Sequence, residues 1–250
     1  MSSPTKAFLI VFSTPGDQVT QDEFQDWYNN EHVPLRLDNL DFFLSGARFR
    51  DPNPPTPLTP TTTDWAALYE ITSPQVFQEP SYTGLREKRS AREASVVKRL
   101  GVLDRRTFGV VSVVEREEGG EWTGLNVGNP TQGIVTHKST TDKVDVGENL
   151  GGWRRTWILE GLDSGVTVEG KQVETAKDSG VFVVHEFTSC DAAHDFAGTL
   201  QPQEQYTEAL RCCIDRRMEY VIQSKAQATS PNAFVPRRHE ICIPSKGLDP

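Results

Sequence analysis

"LYEITS" at 68–73 and "VHEFTS" at 184–189 are two versions of one apolar strand ending, and they set Tyr69 against His185 and Glu70 against Glu186. A second block, "LDRRTFGVVSVV" at 103–114, resembles "IDRRMEYVIQSK" at 214–225, so that Asp104-Arg105-Arg106 is matched by Asp215-Arg216-Arg217. The blocks keep the same order at offsets of 116 and 111 residues. Self-similarity at a near-constant offset is the mark of an internal duplication.

The elements around the first copy give its topology. "KAFLIVFS" at 6–13 is a continuous apolar run of strand length, followed by turn residues "TPGD". Thr20 with Glu23 three residues on predicts a helix start. Pro34 pushes Val33 out of the α region, which predicts that this helix ends at about His32. "FLSGARFRD" at 43–51 and "WAALYEIT" at 65–72 read as strands joined by the Pro/Thr-rich loop at 51–63. Residues 74–100 read as helical, and 107–115 as the closing strand. The order β-α-β-β-α-β is that of a ferredoxin-like unit. In the second half, strands are predicted at 133–140, 153–160, 181–188 and 218–224, with a helix over 191–214. The first helix of that half is replaced by "TDKVDVGENLGG", which lacks apolar period. The fold class is therefore α+β, with two fused ferredoxin-like repeats forming a pseudo-dimeric α/β barrel of two four-stranded antiparallel sheets. Residues 1–116 form the first repeat, 117–132 a connector, 133–227 the second, degenerate repeat and 228–250 a tail.

Composition restricts the partners. A net charge of -9 gives no basic footprint for nucleic acid. No apolar run reaches the length of a membrane span and "AFLIVF" is too short for a secretory core, so a cytoplasmic protein is expected. Cys190, Cys212, Cys213 and Cys242 lack paired CxxC spacing, which predicts reduced thiols and no metal site. No GxGxxG, Walker, HExxH or GxSxG motif occurs. A small molecule is the expected partner.

"FQDWYNNEHVPL" at 24–35 sets Trp27, Tyr28, the amide pair Asn29-Asn30, Glu31 and His32 in one run at the end of one helix. The stretch resembles the EthD-like branch of the dimeric α/β-barrel superfamily, whose members show an aromatic-rich helix ending in His-x-Pro. The resemblance implies two sheets facing each other around a pocket, here fused in one chain as in fungal secondary-metabolite tailoring enzymes. It also implies cofactor-free chemistry on a small aromatic, polyketide-like substrate, with homodimer formation as one expectation for assembly. The implied reaction is a lyase or cyclase step: decarboxylation, dehydration or aldol closure. The alternatives are cofactor-independent oxygenation of an anthrone-like substrate, or a non-catalytic binding barrel.

His32, His185 and Tyr28 are the candidate catalytic residues, because a near-neutral imidazole suits proton transfer and a buried phenol needs a partner. Trp27, Tyr69, His137, Arg154 and Trp122 are the candidate substrate-binding residues, with Trp122 expected either to fold from the connector over the pocket mouth or to lie half-buried against the outside of a sheet. Only one of His185 and Glu186 can point into the barrel, since successive strand residues face opposite ways. The Asp-Arg-Arg pairs are expected to be a structural turn with internal ion pairs.

Overall fold

The computed structural model describes residues 6–51, 63–116, 121–126, 128–139, 144, 146, 149–173, 181–200 and 206–214. Most of the loop at 51–63, the second Asp-Arg-Arg triplet, the strand expected at 218–224 and the tail lie outside these residues.

The strands are β1 (Ala7–Thr14), β2 (Phe43–Arg50), β3 (Trp65–Ile71), β4 (Val102–Glu115), β5 (Gly133–Ser139), β6 (Trp153–Val168), β7 (Lys171–Val173), β8 (Val181–Phe187) and β9 (Tyr206–Ile214). The sheet order β4-β1-β3-β2-β9-β5-β8-β6 contains one pattern twice. Numbered within each half, both sets of four run 4-1-3-2, the order of a ferredoxin-like unit. Every pairing between these strands is antiparallel. β2 joins β9 at Phe49↔Ile214, and β4 joins β6 from Val102↔Val168 to Glu115↔Arg155. Both seams thus link the second strand of one half to the fourth of the other, and these eight strands close into a ring, which covers the edges that an open sheet would expose.

β1 is apolar from Ala7 to Phe12 because both of its faces are covered. Phe8, Ile10 and Phe12 point into the barrel with Phe49, Phe108, Trp157 and Phe182, a core built from both halves. Ala7, Leu9 and Val11 point outward under the helices with Trp65, Ala67 and Tyr69. The helices are α1 (Gln21–Trp27), α2 (Val33–Leu37), α3 (Pro80–Glu87) and α4 (Ala91–Arg99) on the first half, and α5 (Cys190–Thr199) on the second. Thr20 caps α1 by accepting from the Glu23 amide at 3.2 Å.

Four expectations are corrected. The first helix does not end at His32: Tyr28–His32 is a π-helical turn, and Val33–Leu37 continues as α2 with Pro34 in its first turn. A proline lacks the N–H that an α-helix would require. The wider turn absorbs the gap, with the Val33 amide bonding the Tyr28 carbonyl five residues back. The helix expected over 191–214 stops at Thr199, and Tyr206–Ile214 is the fourth strand of the second half. The Asp-Arg-Arg block at 104–106 is not a turn but lies near the start of β4, where Arg106 pairs with Asp104 as an internal ion pair. Finally, Cys190 is disulfide-bonded, not a free thiol.

Candidate functional site

A cavity of about 530 Å³ lies between the helix-facing side of the first sheet and the helices above it. Leu9, Val11, Tyr69 and Leu103 form its floor, and His32, Arg36, Tyr82 and Glu93 rise from the helices. The β6–β7 hairpin of the second half closes one side with Asp163, Val166 and Gln172. This volume suits a small organic ligand. The resemblance implied a pocket between the two sheets; that space is filled by the aromatic core from both halves, and the cavity sits on the opposite face of the first sheet.

The sequence 24–32 builds the bed for His32. Its ring packs on Trp27 and Tyr28 with centroids 4.5 and 4.8 Å away, and Phe24 meets Tyr28 edge-on at 5.1 Å. The Arg48 guanidinium lies 4.0 Å from the Tyr28 ring centre and 4.6 Å from that of Trp65. Trp27 and Tyr28 are 0 % and 1 % exposed and do not line the cavity, so they orient the imidazole from behind.

His32 Nδ1 lies 3.1 Å from Glu93 Oε1. Burial, reinforced by the Arg36 charge and only partly offset by Glu93, holds the His32 pKa down at about 3. Burial raises the Glu93 carboxyl, but hydrogen bonding and attraction from His32 and the nearby arginines outweigh it and hold Glu93 below the usual carboxylate range. At neutral pH the pair is a neutral imidazole donating Nδ1–H to a carboxylate, which leaves Nε2 as the basic lone pair. Glu93 occupies the first turn of α4, where the helix dipole favours a negative charge. Ser90 caps that helix, its hydroxyl accepting from the Glu93 amide at 2.9 Å. Arg36 closes the arrangement, with Nη1 donating to the His32 carbonyl at 2.7 Å and Nη2 at 3.6 Å from Glu93 Oε1.

Tyr69 faces the cavity from β3. Its hydroxyl is buried without a hydrogen-bond partner among the described residues, and burial pushes its pKa up, so it stays a phenol. Gly46 lies opposite on β2, where a Cβ would fall 2.6 Å from the Tyr69 ring, so the absence of a side chain there makes room for it.

The remaining predicted site residues gather elsewhere. His137 and His185 face α5, joined Nε2 to Nε2 at 2.9 Å. Thr156 donates to the Val146 carbonyl at 2.7 Å and sits 2.9 Å from His185 Nδ1. A hydroxyl has one proton to give, so His185 Nδ1–H donates to Thr156, and His137 Nε2–H to His185. Burial, followed by the neighbouring His137, keeps His185 well below its ordinary pKa. Both rings are fully buried and neither lines the cavity. Arg154 occupies a bulge in β6, and Arg155 is the residue that points into the barrel. There Arg155 binds Glu186 Oε1 at 2.8 Å and Glu70 Oε1 at 3.1 Å. Trp122 packs over Arg155 at 5.0 Å and does not line the cavity. Of the eight residues singled out from the sequence, His32 and Tyr69 meet in the cavity wall.

Glu93, Arg36, Tyr82 and Arg105 were not anticipated. Glu93 had a signal, since Ser90-x-x-Glu93 is a capping-box spacing, although its carboxylate serves His32. Among the described residues no group of three or more His, Cys, Asp or Glu could hold a metal ion, and no helix is long and apolar enough to cross a membrane.

No protein-family model and no curated protein matches the sequence. Solved structures do. An anthrone oxidase-like protein is similar with a TM-score of 0.52 and 11% identity, covering 84% of this chain and 90% of that one. A candidate monooxygenase from Fusobacterium nucleatum subsp. nucleatum gives a TM-score of 0.47 at 8% identity, covering 89% of this chain and 94% of its own. Another from Lactobacillus acidophilus NCFM gives 0.42 at 8% identity, covering 88% and 97%. The likeness to the first is one of fold: the chain has the architecture of the α/β barrels.

Proposed function

We propose that this chain is an enzyme that deprotonates an electron-rich aromatic substrate in the helix–sheet cavity, with His32 as base. The observation that carries the reading is a buried imidazole, neutral at physiological pH and tied through Nδ1 to Glu93, in the wall of a cavity sized for a small organic ligand. Nε2 takes the proton from an acidic methylene or phenol. The oxyanion that forms is stabilised by the Tyr69 hydroxyl, which has a hydrogen bond to give, and by the Arg36 charge. An imidazole of such low basicity is protonated efficiently only as this anion forms beside it, so the proton transfer and the charge stabilisation are coupled.

The anion then reacts with dioxygen. An anthrone-like methylene loses two hydrogens and gains one oxygen as a carbonyl, and the second oxygen atom leaves as water. The solved structure of the same fold that carries the anthrone oxidase-like name supports this order of readings. A lyase or cyclase step on a polyketide-like aromatic is the second reading. It is supported by the position of Tyr69, whose hydroxyl faces the cavity and can hand a proton to carbon after loss of carbon dioxide.

Incubation with anthrones and with phenolic polyketide acids, in air and under nitrogen, separates the two by mass: gain of oxygen against loss of carbon dioxide or water. His32→Ala is expected to lower turnover by about 10²–10⁴-fold, the usual effect of removing a general base. Full turnover in a folded His32→Ala protein would refute the assignment.

A further inference from the structure

Arg89, Lys98 and Arg105 have no part in the deprotonation. Among the described residues Arg36, Arg89, Lys98 and Arg105 line the cavity together with the carboxylates Glu93 and Asp163, in a chain whose net charge is -9. Arg105 points from β4 into the cavity, where its Nε donates to the Tyr82 hydroxyl at 3.0 Å. Its Nη1 meets Asp163 Oδ2 at 3.2 Å, but the Asp163 side chain is 72% exposed while that of Arg105 is 18% exposed. A solvated carboxylate holds such an arginine weakly. The phenol fixes the guanidinium plane, and the Phe77 and Tyr82 rings lie beside it at 5.8 and 5.5 Å.

The sheet register sets how far apart the backbone positions of Arg105 and Tyr69 lie. Arg105 is opposite Val11 on β1, whereas Tyr69 on β3 is opposite Leu9. Two strand spacings and a two-residue offset separate the two positions by roughly 12 Å.

We propose that the substrate carries a carboxylate that Arg105 binds, at the far end of a flat skeleton of about three fused rings from the oxygen that Tyr69 receives. This rests on the proposed function, since it places the substrate in the same cavity. Tyr82 orients Arg105, and Asp163 occupies the carboxylate position until the ligand displaces it.

Anthracene-2-carboxylate and anthracene-2-carboxamide are matched probes, and their fluorescence reports binding to the full chain. The wild-type protein is expected to favour the carboxylate by about 10- to 100-fold, the range for a charge-assisted contact. Arg105→Gln should abolish that preference and Arg105→Lys should keep part of it. Asp163→Asn should tighten carboxylate binding several-fold, which a merely structural ion pair would not produce. His32→Ala should leave the preference intact. Equal affinity for the two probes, or a preference that survives in Arg105→Gln, would overturn the carboxylate clamp and leave the base assignment standing. Failure of wild-type protein to bind either probe would overturn the clamp together with the aromatic-substrate reading on which it rests.

Discussion

His32 shows how far a residue's neighbours can move its chemistry. Burial and the Arg36 charge keep it neutral down to about pH 3. The unfolded chain takes up this proton as pH falls through 6.5, whereas the folded chain does so only near 3. Between those values the unfolded state binds more protons, so stability declines as acid is added, by roughly 3–5 kcal/mol for the full shift. Glu93 acts in the same direction, because its lowered pKa contributes stability that is lost on acidification. His32→Gln is therefore expected to flatten the fall in urea midpoint between pH 6.5 and 4. In the wild type the kcat/KM profile should show no His32 limb between pH 5 and 7. An unchanged midpoint slope in the variant, or an activity limb near 6.5, would contradict the buried neutral imidazole. The sequence exposed His32 through its unusual neighbours, but not its partner, since Glu93 lies 61 residues away and comes to it only through packing of α4.

The element that presents this residue is the π-helical turn. Regular α-helix through 28–32 would rotate His32 relative to α1 by about the 100° that one residue subtends, and would carry it off the Trp27 and Tyr28 rings. Proline at 34 cannot supply an amide to the Asn30 carbonyl, so the ladder shifts to a five-residue step just before it. Pro34→Ala restores the missing donor and lets the helix regularise. Its turnover should fall at least tenfold while its thermal midpoint stays level or rises, checked by kinetics beside a circular-dichroism melt; full activity would show that the turn does not depend on proline. In the sequence the same proline signals a helix stop, but it sits inside the first turn of α2, where proline is tolerated. Strands were more legible. β1, β3, β5 and β8 lie within a residue or so of their apolar runs, since burial on both faces leaves a continuous signal. The bulge in β6 carries no such mark, and it decides that Arg155, not Arg154, enters the barrel.

At the scale of the molecule, the match of "LYEITS" with "VHEFTS" is a statement about symmetry. Tyr69 and His185 face the helices of their own halves, and Glu70 and Glu186 both point inward to one arginine, Arg155. The second Asp-Arg-Arg block misplaced the last strand because the resemblance is local, whereas the slot in the sheet is filled by Tyr206–Ile214. Arg155 ties the halves together, and Glu186, 0 % exposed, also accepts from the Trp157 indole at 2.6 Å. Removing the arginine would strand Glu186 without its counter-charge, and breaking a buried pair in this way costs about 3–5 kcal/mol. Because Glu70 belongs to the first half and the barrel core draws on both, that loss should not stay local. Arg155→Ala is expected to unfold in one transition, with the amides of β1 and β8 losing hydrogen-exchange protection by the same amount. Loss confined to β5, β6 and β8, with β1 and β3 still protected, would mean that the two repeats fold as independent bodies and that closure of the ring adds little to either.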